Sequence, residues 1–94
     1  MPHYYFHVCN GHGFTEDEVG SEHPNLAAAR ANAISGLRDI MSSEMKRGDL
    51  NLGSFIEIEN EAHELLMTVP FEEAVNVKTV KGERPKPIWP QSRN

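Results

Sequence analysis

The chain has 94 residues, 38% of them hydrophobic and 24% charged, with a formal net charge of −5 and one cysteine. That length fits one domain, the composition is that of a folded globular protein, and no apolar run approaches the ~20 residues needed to span a bilayer. The lone Cys9 cannot close an internal disulfide and the N-terminus lacks the charged-then-apolar layout of a leader, so a reducing, cytoplasmic setting is expected.

Charge is unevenly divided. Residues 1–75 carry Arg30, Arg38, Lys46 and Arg47 against thirteen carboxylates, a net of −9. Residues 76–94 carry Lys78, Lys81, Arg84, Lys86 and Arg93 against Glu83, a net of +4. An acidic domain over residues 1–76 is therefore expected to precede a basic, proline-rich tail over 77–94. Such a body repels phosphate and anionic lipid, which leaves the tail as the place for any polyanion contact.

The first element, His3 to Val8, is aromatic and β-prone and reads as a strand. Period two sets Tyr4, Phe6 and Val8 on one face and His3, Tyr5 and His7 on the other. Asn10-Gly11-His12-Gly13 is a turn signal, after which residues 14–22 return as a short irregular strand around Glu16-Asp17-Glu18, kinked at Gly20.

Asn25 is placed to cap a helix that starts near Leu26 and ends at Gly48, with Lys46 and Arg47 in its last turn. Leu26, Ala29, Ala33, Leu37 and Ile40 form its apolar stripe, widened by Ile34, Met41 and Met45, and the alanines with Gly36 suit close approach to a sheet. Arg30 falls inside that stripe. A guanidinium there must snorkel out or meet a carboxylate, and Asp17 or Glu18 of the acidic run is the expected partner.

Phe55 to Glu59 alternates, with Ile56 and Ile58 inward, and Leu65 to Val69 returns as its hairpin partner. Pro70 ends that strand, and residues 71–75 read as a helix of one or two turns. The fold expected is α+β in the order β-β-α-β-β-short α, a mixed or antiparallel sheet of three to four strands packed on one long helix. Pro85, Pro87 and Pro90 argue against regular helix or sheet there, so an extended tail is expected.

Tyr4-Tyr5-Phe6-His7-Val8, Asp17-Glu18-Val19-Gly20, Ala28-Ala29-Arg30 and Val69-Pro70-Phe71 occur here in an order that resembles a family of small bacterial proteins, common in rhizobia and related alphaproteobacteria and known only as a domain of unknown function. The resemblance covers about residues 2–76. It implies a compact bacterial, cytoplasmic α+β domain and carries no activity. The chain departs from that pattern at Asn60-Glu61-Ala62-His63, where similar proteins carry an acidic turn ending in glycine.

No motif names a reaction. His3 and His7 stand about 13 Å apart along a strand, too far for one ion, and no Cys-x-x-Cys or His-Glu-x-x-His accompanies the five histidines. The acidic run lacks the calcium-loop pattern, and Cys9 has no thiolate-stabilising neighbour in sequence. No catalytic residue, metal or cofactor is therefore expected. Nucleic-acid binding is disfavoured because Glu57 and Glu59 would flank the aromatic strand; membrane binding is not expected.

One helix covers one sheet face, so the other is expected to show Tyr5, His7 and Phe55, with Trp89 of the tail as a further apolar contact. That surface suggests a non-enzymatic protein-interaction or regulatory module, a homodimer or a binder of another protein. The alternatives are a ligand-binding or enzymatic domain using the acidic loop with Arg30, and a nucleic-acid accessory acting through the tail.

Overall fold

The computed structural model describes residues 1–10 and 13–78. Strand β1 (His3–Asn10) is followed by β2 (Gly13–Thr15) and β3 (Ser21–Glu22), helix α1 (Leu26–Arg47), strands β4 (Phe55–Glu59) and β5 (Leu65–Pro70), and the one-turn helix α2 (Phe71–Ala74). The architecture is α+β, in the element order read from the sequence. All pairings are antiparallel, in the order β2-β1-β4-β5, with β3 also on β1. Five strands make a sheet four strands wide, because β2 and β3 share one edge of β1: β2 pairs residues Val8 to Asn10, and β3 pairs His3 and Tyr4. Gly11-His12 and what is expected of residues 79–94, including Trp89 and the prolines, lie outside the described residues.

Helix α1 forms where its caps allow. Asn25 accepts the Ala28 amide through Oδ1 at 2.9 Å, satisfying one orphan donor of the first turn. At the other end Gly48 adopts the left-handed conformation, and its amide and that of Asp49 bond back to the carbonyls of Met45 and Glu44. This double return closes the helix and satisfies two terminal acceptors.

The buried face of α1 is Ala29, Ala33, Leu37, Met41 and Glu44. The first three meet Tyr4, Ile56, Ile58 and Val69 from the sheet and Ala74 from α2, with Phe6, Val8 and Met67 packed around them. Small side chains at 29 and 33 let the helix lie close to the strands. Two expectations change. Met45 is 62% exposed and takes no part in the core. Glu44, which the stripe omitted, is fully buried, where its Oε1 accepts the Asn51 amide at 2.9 Å. Asn51 also accepts the Gly53 amide on its side chain and the Ser54 hydroxyl on its carbonyl. The carboxylate is thus the anchor for the loop that leads α1 into β4, and Ser54 passes the tie on by accepting the Phe71 amide of α2.

Gly36 lies over the sheet, but a methyl group there would meet only Ile56 Cδ1, at 3.7 Å. That is ordinary van der Waals contact. Gly36→Ala should therefore stabilise the fold by up to ~1 kcal/mol through helix propensity alone, measured by urea denaturation. A destabilised variant would mean that the helix–sheet spacing is tighter than this contact indicates.

Candidate functional site

Between the segments paired with β2 and β3, residues 5–7 of β1 have no strand on that edge. The side chain of Asp17 takes the missing strand's place. Its Oδ2 accepts the Phe6 amide at 3.0 Å, and its Oδ1 accepts the amides of Val19 (3.2 Å) and Gly20 (2.9 Å). Burial would push the Asp17 carboxyl up, but these three amides, with His7 nearby, outweigh it and hold it below the ordinary carboxylate range. Gly20 has φ +71°, and a Cβ there would stand 2.5 Å from His3 Nε2 and 2.6 Å from the Tyr4 carbonyl. Only glycine closes this turn without displacing β1.

The Asp17 amide donates to His7 Nδ1 at 3.0 Å. That bond places the His7 proton on Nε2, which donates to Glu59 Oε1 at 2.9 Å. Both ring nitrogens are engaged and the residue is only 4% exposed. His7 was expected as a surface contact; it is instead a buried strut between the Asp17 loop and β4, covered because the 14–20 segment folds back over β1. Phe14 leans on its ring at a centroid distance of 5.7 Å.

Glu59 Oε1 is shared with His63, whose Nδ1 lies 3.2 Å away. The His7 bond chiefly, with His63 adding, holds the Glu59 carboxyl low against the opposing effect of desolvation. His63 reaches this position from a turn in which Asn60 and Glu64 exchange bonds through backbone and side chains. It sits at φ +64°, a conformation costly for a side-chain-bearing residue, and lays its ring over Tyr5 at 4.7 Å. Tyr5 is accordingly half-buried.

The outer sheet face therefore consists of His3, Tyr5, His7 and Cys9 from β1, Phe55, Glu57 and Glu59 from β4, and Thr68 from β5, with Phe14 and Glu16 at the rim. The register sets Tyr5 opposite Glu59 and His7 opposite Glu57, so carboxylates do flank the aromatic strand. A cleft of about 430 Å³ opens between His7, Phe14, Glu16, Glu59 and His63. No metal-holding group of three His, Cys, Asp or Glu side chains occurs among the described residues. Burial, with Glu57 adding, pushes the Cys9 thiol up, away from the thiolate form. Every lysine and arginine of residues 1–77 lies on α1. Among the described residues the sheet face is acidic and aromatic, with no cation except what histidine supplies.

The expectation for Arg30 is corrected by this geometry. Arg30 does not pair with Asp17 or Glu18: its Nη2 donates to Glu73 Oε1 of α2 at 2.7 Å, with the two side chains 40% and 42% exposed. It snorkels along α1 away from the acidic run, and Glu18 stays exposed. Helix α2 does not lie on the outer face. It packs on α1, with Ala74 buried and the Ala74 carbonyl accepting Arg38 Nε at 2.7 Å. Phe55 is only half-buried, in a shallow cleft with Thr68 and Phe71. Arg38, Glu44 and His63 were not singled out by the sequence. His63 carried one available signal, a bulky residue where a turn calls for positive φ.

A small antiparallel α+β domain whose Asp17 loop and β4 are tied together through the buried His7 is the class that this geometry defines. The model of the family described as Domain of unknown function (DUF6894) matches residues 3–72, and the chain belongs to that family. No curated protein and no solved structure matches it. The matched span contains Asp17, Gly20, His7 and Phe6, the residues that build the strand substitute.

Two outcomes follow. Arg30→Ala should cost no more than about 1 kcal/mol, the scale of an exposed ion pair, in equilibrium unfolding; a loss of several kcal/mol would place that guanidinium in a dry site. Asp17 and Glu59 have folded-state values below their unfolded ones, so their contribution is complete above about pH 4 and is lost as pH falls through the depressed values. Stability should thus drop steeply on acidification below about pH 4, and Asp17→Asn should flatten that slope. Urea titrations across the acid range would check both signs.

Proposed function

We propose that this domain is a non-enzymatic protein-interaction module that uses the outer sheet face, and that its partner presents basic and apolar side chains. The carrying observation is the segregation of charge: cations sit on the helix layer, while Glu16, Glu57 and Glu59 stand among Tyr5, Phe14 and Phe55. Such a surface attracts a cationic partner and offers aromatic faces to its lysines and arginines. The same charges weigh against the homodimer expected through Tyr5, His7 and Phe55, because self-pairing would set carboxylates against carboxylates. His7 is removed from that contact set by its burial.

Two observations favour this reading over a ligand-binding or enzymatic one. His7 has no free nitrogen with which to act as a base, and Arg30 faces α2 rather than the acidic loop. The described helices include none long and apolar enough to cross a membrane, and the acidic face disfavours anionic lipid and nucleic acid. A contribution of the tail to nucleic-acid contact rests on residues outside the described ones.

Fluorescence anisotropy tests the proposal. A labelled Lys/Leu peptide should bind the full chain, a Glu/Leu peptide should not, and added salt should weaken the complex. Glu57→Lys should reduce the affinity about tenfold or more while leaving the circular dichroism unchanged. Equal binding of both peptides, or indifference to Glu57→Lys, would sink the reading. A sedimenting dimer dissociated by Tyr5→Ala would restore the homodimer in its place.

A further inference from the structure

On the helix layer, a groove of about 590 Å³ runs beside the C-terminal half of α1, within the roughly 300–1,000 Å³ range of small-molecule sites. It is walled by Met41 and Met45 of α1, Leu50 and Leu52 of the loop after it, and Val75 and Val77 beyond α2. Met45, Leu52 and Val77 are exposed, so the groove presents apolar lining to water. Its charged residues are of one sign. Residues 1–75 carry thirteen carboxylates, yet among the described residues none lines the groove, while Arg38 and Lys46 both do. Neither cation meets a carboxylate within the described chain.

We infer that this groove binds an amphiphilic carboxylate, a free small molecule with one anionic head on an unbranched acyl chain. Charge selects the head. Arg38 is already held in place, because its Nε donates to the Ala74 carbonyl at 2.7 Å, which leaves its two Nη groups to grip a carboxylate side by side. One guanidinium matches a singly charged carboxylate better than a doubly charged phosphate, which calls for further donors. Lys46 adds a second positive charge to the same stripe of α1, so the field along the groove favours an anion throughout.

Shape selects the chain. Arg38, Met41, Ser42, Met45 and Lys46 recur at helical spacing on one side of α1, so they form a stripe about 12 Å long. An extended chain of about ten carbons covers that length. The two methionines are unbranched and polarizable, and they adjust to a flexible chain. Among the described residues no aromatic ring lines the groove to stack a planar ligand. The Lys46 stem extends the apolar wall while its ammonium stays in water. The site shares no residue with the sheet face proposed above, and neither reading depends on the other.

Decanoate, kept below its micelle concentration, is the probe. In isothermal titration calorimetry the full chain should take it up saturably at one site. Decylamine, with the same chain and the opposite charge, should bind at least about tenfold more weakly. Arg38→Gln should weaken decanoate binding about tenfold. Met45→Glu, at an exposed position, should abolish it with the circular dichroism unchanged. Arg30→Gln, on the same helix but outside the groove, should leave it as it is. Absence of saturable binding, or equal affinity for decylamine, would overturn the inference. So would decanoate binding that neither Arg38→Gln nor Met45→Glu reduces. A sedimenting dimer that Met45→Glu dissociates and decanoate does not would make a second copy the occupant, and would overturn it. A Glu/Leu peptide that binds unless Met45→Glu is present, while decanoate does not bind, would make a protein segment the occupant and overturn it as well.

Discussion

The sheet depends on how one stretch of backbone is satisfied. Residues 5–7 of β1 lie between two short strands that pair with either end of the same edge, and an amide left bare there would carry the cost of an unmade hydrogen bond. Asp17 meets that need with one oxygen while the other gathers its own turn. Because its backbone amide also fixes the His7 tautomer, this one residue sets the edge of β1 with its carboxylate and the cross-strand tie to Glu59 with its main chain. Gly20 is the geometric condition for all of this, since any side chain there strikes β1.

A second carboxylate, Glu44, does comparable work at the far end of the molecule. Buried beneath the last turn of α1, it holds Asn51, and through Asn51 and Ser54 the tie reaches α2. The two anchors organise opposite layers. One closes the outer sheet face around His7, and the other fixes the loop that leads α1 into β4. The acidity of this chain is therefore partly structural.

Much of the fold was legible because it rests on local rules. Asn25 and Gly48 bound α1 where capping chemistry puts them, and the alternation Phe55 to Glu59 fixes which residues face the helix. That alternation also gives the face that Glu57 and Glu59 share with Tyr5 and His7, whereas the register of β1 on β4 joins strands far apart in sequence and is set by no hairpin. What escaped was the direction of long polar side chains. Arg30 in an apolar stripe suggested the nearest acids in sequence, whereas its length lets it run along the helix to Glu73, forty-three positions on. Glu44 broke the stripe in the other direction, because a carboxylate is buried readily where a loop supplies amides, and helical periodicity knows nothing of that loop. His7 was read as surface from strand parity alone. Parity gives the face, and only the tertiary path of residues 14–20 shows that this part of the face is roofed.

The turn at His63 has a consequence for variation within such a domain. A residue with a Cβ at positive φ spends about 1–2 kcal/mol of backbone comfort that glycine would not. In return its imidazole roofs Tyr5 and gives Glu59 a second partner. The scaffold underneath is held independently by the Asn60–Glu64 exchange and the β4–β5 ladder, so the identity of this one side chain can change while the fold does not. Position 63 thereby acts as a shutter: a ring dims the aromatic surface and bare backbone opens it, and a lineage can retune what the face displays by a single substitution in a turn.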